Sequence, residues 1–382
     1  MTPRSDKPAV LHVSQPTDGG VARYVADLVA DQVRRGWQVV VACPAYGDLT
    51  PDVLAAGGQH VDWTAARAPK PGSLLEIRQL ARLVEQARPA IVHLHSSKAG
   101  LAGRLALRGR VPTVFQPHGW SFDAVTGPMR RATVAWERAA TRWATVMLCV
   151  SEAERRRGEA HGLRGAWRVV HNGVDLEALV AADAEERAAA RRQLEVEDRP
   201  TVVCVGRLCR EKGQDILLDA WPAVLELVPD AQLILVGDGR DTEAVRRRAT
   251  NGIHLAGKRN DVPVWLAAAD VVAVPSRFDG MSVALLEAMA RGRAVVASDV
   301  GGAAEALGED GGALVASEDP PALAEALAES LLDPGHASEQ GRAARQRVER
   351  FHDLRDTTAA VADLYEELVG PRASSGTAPT IP

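Results

Sequence analysis

The chain has 382 residues, enough for two or three domains, and its 46% apolar and 25% charged content excludes collagen-like, wholly disordered and disulfide-scaffold proteins. Its net charge of −5 conceals a split: residues 1–170 carry 23 basic and 14 acidic side chains, the remainder 22 and 36. A basic front half and an acidic back half point to a domain division. Three of the four cysteines, Cys43, Cys149 and Cys204, lie in β-branched apolar runs, and none of the four forms C-x-x-C. Neither a zinc site nor a redox pair is expected, and a reducing, cytosolic compartment fits. The N-terminus has no apolar signal core and no run reaches 18 apolar residues, so any membrane contact is expected to be peripheral.

In chain order, PAVLHVS (8–14) reads as a buried strand, and the loop Thr17-Asp18-Gly19-Gly20 follows it. VARYVADLVADQVRR has apolar spacing of three and four, the mark of a helix, and Gly36 ends it before the strand WQVVVAC. This βαβ unit favours a parallel sheet. Further strands are expected at 90–95, 112–117 and 145–150, with helices between. After a polar Ala/Arg/Glu-rich stretch at 181–198 the pattern restarts. Strands are expected at 201–206, 232–237, 253–257, 271–276 and 294–299, with helices from about 213 and about 241 and at 282–292. An amphipathic helix at 355–369 closes the chain, and the Pro/Ser/Thr/Gly-rich tail 370–382 is expected to be disordered. Two doubly wound α/β domains with parallel sheets, 1–180 and 181–354, are the simplest architecture.

Two segments carry chemistry. In SRFDGMSVALLEAMAR (276–291), a strand end leads through a small, polar loop into a helix. Asp279 and Glu287 are eight residues apart and can face one crevice, while Gly280 permits close backbone approach. The free N–H groups at the helix start suit oxygen-rich ligands. In VGRLCREKGQD (205–215), Arg207 and Lys212 sit beside glycines at a strand's C-terminal end, where open α/β sheets bind ligands. Two such cations suggest a diphosphate clamp.

Together these segments resemble the GT-B retaining glycosyltransferases of glycosyltransferase family 4. The resemblance also rests on Gly19-Gly20, VHLHSSKAGLAGRLA (92–106), HGWSF (118–122), VSEAER (150–155), HNGVD (171–175), LVGDG (235–239) and VGGAAE (300–305). It covers nearly the whole chain and implies two Rossmann-like domains facing across a cleft, with 355–369 packing back on the first. It implies that Arg207 and Lys212 bind the donor diphosphate. Glu287 would bind the ribose, and Asp279, here in place of the family's usual Glu, a sugar hydroxyl. Gly280, Met281 and Ser282 would offer backbone N–H groups to sugar and phosphate, and the base would sit near Lys258. Gly19 and Gly20 would border the diphosphate and the acceptor, and His118 would reach the sugar near its anomeric carbon. His93 is expected to be structural, His95 to lie on the acceptor side with Ser96, Ser97 and Lys98, and His171 either to line the cleft or to hold a turn.

The resemblance implies transfer of a sugar, with retention, from a nucleotide-diphosphate donor to a hydroxyl, without metal or other cofactor. Family frequency favours a uridine diphosphate donor. The acceptor is either a lipid-linked intermediate of surface polysaccharide or glycolipid synthesis, or a small molecule. A non-catalytic nucleotide binder is the remaining alternative within the fold. Gly280-Met281-Ser282-Val283-Ala284 lacks the last glycine of a hydrolase elbow, and Gly237-Asp238-Gly239 lacks the third glycine of a dinucleotide fingerprint, since Thr242 stands there. Residues 101–170 hold 12 Arg, and PMRRATVAWERAATRWATVM can present an aromatic and cationic face to an anionic membrane or form a solvated helix. The acidic chain has no nucleic-acid module, so no nucleic acid partner is expected.

Overall fold

A computed structural model describes residues 8–66, 73–250 and 252–370. Most of the proposed tail lies outside these described residues. The first sheet is formed by β1 (Ala9–Ser14), β2 (Gln38–Cys43), β3 (Gln59–Asp62), β4 (Ile91–His95), β5 (Thr113–Gln116), β6 (Val146–Cys149) and β7 (Trp167–Val169). It is parallel throughout, in the order β3-β2-β1-β4-β5-β6-β7. The second sheet is formed by β8 (Thr201–Val205), β9 (Gln232–Val236), β10 (Ile253–Gly257), β11 (Val271–Val274), β12 (Ala294–Ser298) and β13 (Ala313–Val315). It is also parallel, in the order β10-β9-β8-β11-β12-β13. In each sheet the order reverses beside its first strand, and the reversal opens a crevice at the strands' C-terminal ends.

Helices cover both faces of each sheet, so the central strands are largely apolar, although His12 interrupts β1 and His93 and His95 interrupt β4. On the first sheet, Val10, Val41, Ile91, Val114 and Leu148 join residues of the helices Gly20–Arg34 and Leu354–Val369. Val361, Leu364 and Tyr365 thus carry the chain's last helix back onto the first domain. The alternate residues Leu11, Val13, Leu94, Phe115 and Met147 pack on the other face with Ala99 and Ala102 of the helix Ser96–Leu107. On the second sheet, Val203, Val236, Val272 and Val295 face the helices Val283–Ala290 and Pro334–Phe351. Cys204, Leu235, Ala273 and Val296 face Gln214–Leu227 and Pro320–Leu332.

The polar stretch 181–198 is structured rather than a plain linker. Asp183 caps the helix Ala184–Gln193 by accepting from Glu186 N at 2.8 Å. The helix buries Ala190 against Ala267 and Ala268, while Arg191 binds Asp270 at 2.7 Å. The edge strands β3, β7 and β13 escape the sequence pattern because they are short and only partly buried.

Several bonds tie the domains together. Asn172 Nδ2 donates to Met281 O at 2.8 Å, and Ser151 Oγ to Gly280 O at 3.2 Å. Glu305 accepts from the N–H groups of Glu152 and Ala153, at the start of the helix Glu152–Ala160. A carboxylate at a helix N-terminus is favoured by both the free N–H groups and the helix dipole.

Candidate functional site

The C-terminal ends of the two sheets face one another. From the first domain, β1 leads into Asp18-Gly19-Gly20, β5 into His118 and β6 into Ser151. From the second, β8 leads into Arg207 and β11 into the loop that holds Asp279 to Ser282. The helices Gly20–Arg34 and Val283–Ala290 start at this meeting point. A Cβ placed on Gly20 would lie 3.3 Å from Val283 Cγ2, so two helix N-termini approach across the cleft. Gly119 and Gly280 meet as closely: a Cβ on Gly119 would lie 3.6 Å from Gly280 N. The crevice therefore sits between two positive helix ends.

Lys212 Nζ bonds to Asp279 Oδ2. Arg207 makes no side-chain hydrogen bond or ion pair among the described residues, and its buried Nε has no partner. A guanidinium without a carboxylate partner is suited to receive a diphosphate. The other carboxylate oxygen of Asp279, Oδ1, accepts from Gly280 N at 3.0 Å, so that N–H is already taken. Met281 is buried and its carbonyl is held by Asn172, while Ser282 precedes the helix without capping it through its side chain.

Glu287 lies on the helix Val283–Ala290, half-buried, and faces the first domain. Burial pushes its carboxyl up to about 7, with Arg23 lowering and Asp27 raising it from the opposite helix. Lys258 bridges the domains, with Nζ 2.8 Å from Asp18 Oδ1 and 2.8 Å from Asp48 Oδ2. It is thus anchored at the mouth of the cleft, next to Gly19.

His118 has a left-handed backbone, φ 52°, followed by Gly119 at φ 100°. A non-glycine residue in that region is held there by its surroundings. Glu154 supplies the hold: its carboxylate accepts from Gly119 N and, at 2.8 Å, from Val150 N, while its carbonyl accepts from Trp120 Nε1 at 2.7 Å. Burial pushes the Glu154 carboxyl up to about 7, against those two hydrogen bonds. Burial also holds the His118 imidazole down at about 3, with nearby Asp279 pulling the other way.

Some expectations shift. His95 is fully buried and bonded to His12 and His118, and Lys98 is buried against Glu76, so neither faces an acceptor. His93 donates to or accepts from Tyr365 Oη at 2.6 Å, deep in the core. His171 Nε2 lies 3.4 Å from Glu305 at the domain junction. Of the Arg-rich region, Arg104 is buried on Glu137, Arg155 binds Glu152 and Glu159, and Arg157 binds Asp123. Arg130 and Arg138 bind His161. These arginines are thus engaged within the domain, although its excess of basic over acidic side chains is unchanged by such pairs. Met129 and Arg131 remain exposed on the helix Gly127–Ala140. Among the described residues, no helix is long and apolar enough to cross a membrane.

Two doubly wound domains with parallel sheets, whose C-terminal ends meet across a crevice, define a GT-B fold. The profile of Glycosyltransferase Family 4 matches residues 18–178, and that of glycosyl transferases group 1 matches residues 199–333. A GDP-mannose-dependent alpha-(1-6)-phosphatidylinositol monomannoside mannosyltransferase of Mycolicibacterium smegmatis is 32% identical over 370 residues, covering 91% of this chain and 95% of the relative. The chain belongs to this glycosyltransferase family. A related enzyme of Corynebacterium glutamicum, a GDP-mannose-dependent monoacylated alpha-(1-6)-phosphatidylinositol monomannoside mannosyltransferase, is 36% identical over 208 residues, covering 51% of this chain and 55% of the relative. The fold superposes on Anabaena HepE, solved with UDP-glucose, with a TM-score of 0.82 at 22% identity, covering 94% of this chain and 100% of that one.

Proposed function

We propose that the protein transfers mannose, with retention, from GDP-mannose to a hydroxyl of a phosphatidylinositol mannoside glycolipid, without a metal ion. The donor and acceptor follow the activities of the two mannosyltransferase relatives. They replace the uridine donor that family frequency alone suggests. The single observation that carries the chemistry is the meeting of the Lys212–Asp279 pair with His118 between two helix N-termini, with the unpaired Arg207 two residues beyond the end of β8.

The donor diphosphate takes Arg207 and Lys212 as its counter-charges. Lys212 then exchanges Asp279 for phosphate, which frees the Asp279 carboxylate to accept from a sugar hydroxyl. Glu287 accepts from the ribose hydroxyls. As the bond between the anomeric carbon and the diphosphate oxygen breaks, negative charge grows on the leaving group. Arg207, Lys212 and the helix dipoles stabilise that charge in place, at no cost of reorganisation. The acceptor oxygen bonds to the anomeric carbon on the same face, and its proton passes to a diphosphate oxygen. The protein's part is positioning and electrostatics. A lipid acceptor places the exposed Met129 and Arg131 side of the first domain toward the inner membrane surface, as a peripheral contact. The test is nucleotide release from a panel of GDP-, UDP- and ADP-sugars: GDP-mannose is expected to be consumed fastest, and preferential use of a UDP-sugar would overturn the donor assignment.

A further inference from the structure

Behind His118 the hydrogen bonds continue into the first domain in single file. His118 Nε2 lies 3.2 Å from His95 Nδ1, His95 Nε2 lies 3.0 Å from His12 Nδ1, and His12 Nε2 lies 2.8 Å from Gln32 Oε1. The ring planes of neighbouring histidines differ by only 26° and 17°. His12 comes from β1, His95 ends β4 and Gln32 is on the helix Gly20–Arg34, so three core elements fix the file. Gln32, His12 and His95 are all buried.

Burial pushes His12 down to about 4, His118 to about 3 and His95 well below the ordinary histidine value. All three imidazoles are therefore neutral near pH 7. A neutral imidazole has one N–H and one bare nitrogen, so links in series share one direction. The Gln32 carbonyl oxygen can only accept. His12 then carries its proton on Nε2 and accepts at Nδ1 from His95 Nε2–H. His95 Nδ1 in turn accepts from His118 Nε2–H. His118 is left with a bare Nδ1 on the far side of its ring.

We propose that Gln32, His12 and His95 are positioning residues that hold His118 in its Nε2–H tautomer, so that its bare Nδ1 accepts a hydrogen bond from a hydroxyl of the bound donor sugar. The proposal rests on the reading that His118 meets the donor. A wrong tautomer would set N–H where an acceptor is needed, and the sugar hydroxyl would have to turn its proton elsewhere. His12, His93 and His95 also have ring nitrogens within 4.8 Å of one another. Both nitrogens of His12 and of His95 are already engaged in the file, and a cation there would have to break it.

Two-bond proton–nitrogen NMR on histidine-labelled protein reads each tautomer, with His118 assigned from the signal lost in His118→Ala. The wild type is expected to show His118 as Nε2–H. Gln32→Met removes the terminal acceptor at similar volume. It is expected to mix the His118 tautomers and to lower kcat for GDP-mannose turnover by about tenfold, with GDP affinity unchanged. Gln32→Glu, which keeps an acceptor oxygen, is expected to recover the Nε2–H form. In the His118→Ala background, Gln32→Met should cost nothing further. An Nδ1–H tautomer in the wild type, an unchanged tautomer in Gln32→Met, additive losses in the double variant, or stoichiometric zinc in the purified wild type each overturns the proposal. If His118→Ala itself turns over like the wild type, the donor-contact reading of His118 has failed, and the wild-type tautomer still decides whether the file has its stated direction.

Discussion

Gly280 sits where the two domains touch, and adding one methyl group there tests whether that contact matters. Its φ is not positive, so the backbone tolerates alanine and only the contact changes. A Cβ would lie 2.7 Å from Val150 Cγ2, 3.1 Å from Gly119 N and 3.2 Å from Glu154 Oε1. Ordinary carbon contacts are about 3.5–4.0 Å, so three neighbours on the first domain must give way. Overpacking of this kind costs about 1–3 kcal/mol, which is about a 5- to 150-fold loss of the closed arrangement. Arg207 and Lys212 lie on the second domain and keep their geometry. Gly280→Ala is therefore expected to lower kcat/KM for GDP-mannose by that factor while GDP affinity, measured by calorimetry, stays within about threefold. Glu154 and Gly119 are displaced with the contact, so the His118 loop loosens too. Wild-type turnover in Gly280→Ala would refute the claim that this closed contact assembles the site.

Lys212→Met removes a charge-assisted contact to the diphosphate and should weaken GDP binding by about 10- to 100-fold; unchanged GDP affinity would remove Lys212 from the clamp. Glu287 has a folded-state value of about 7, above the unfolded carboxylate's value of about 4.3. The folded protein holds a proton there that the unfolded chain has lost, so this contribution is full below about pH 4 and fades as pH rises toward 7. Glu287→Gln abolishes the titration, and denaturant unfolding should show the variant gaining on the wild type by roughly 1–3 kcal/mol between pH 5 and pH 8; a pH-independent difference would contradict this. Arg131→Glu should weaken salt-sensitive binding to anionic vesicles with turnover of a soluble acceptor analogue unchanged; equal vesicle binding would remove the helix Gly127–Ala140 from the membrane contact.

The central strands were legible because burial on both faces makes them largely apolar and rich in β-branched residues, as in TVVCV of β8 and VVAV of β11. The edge strands β3, β7 and β13 were not, since they are three or four residues long and only partly buried, whereas the five-residue edge strand β10 was legible. Arg207, Lys212 and Asp279 could be singled out in the sequence because each lies within a short segment whose spacing suggests a chemistry, whereas the bond that occupies the Gly280 N–H shows only in the fold. Glu154 was hidden. It stands in VSEAER, which was visible, but its partners Gly119 and Val150 come together only in the fold. Asn172 and Glu305 likewise act across the domain junction, on Met281 and on the helix Glu152–Ala160. The histidine file could not be read at all, since His12, His95 and His118 are far apart in sequence and only the register of β1 on β4 joins them. The charge split was visible, but its meaning changed. Arg104, Arg155 and Arg157 pair with carboxylates of their own domain, so the count of 12 arginines in 101–170 overstated the free cations there while the net excess stands.

The most direct test of the account is transfer of labelled mannose from GDP-mannose to phosphatidylinositol monomannoside in the presence of a chelator, by the wild type and by Lys212→Met. The account predicts a dimannosylated lipid with α-configuration from the wild type and at least about tenfold less from Lys212→Met. No transfer by a wild type that binds GDP tightly, or equal transfer by both proteins, would contradict it.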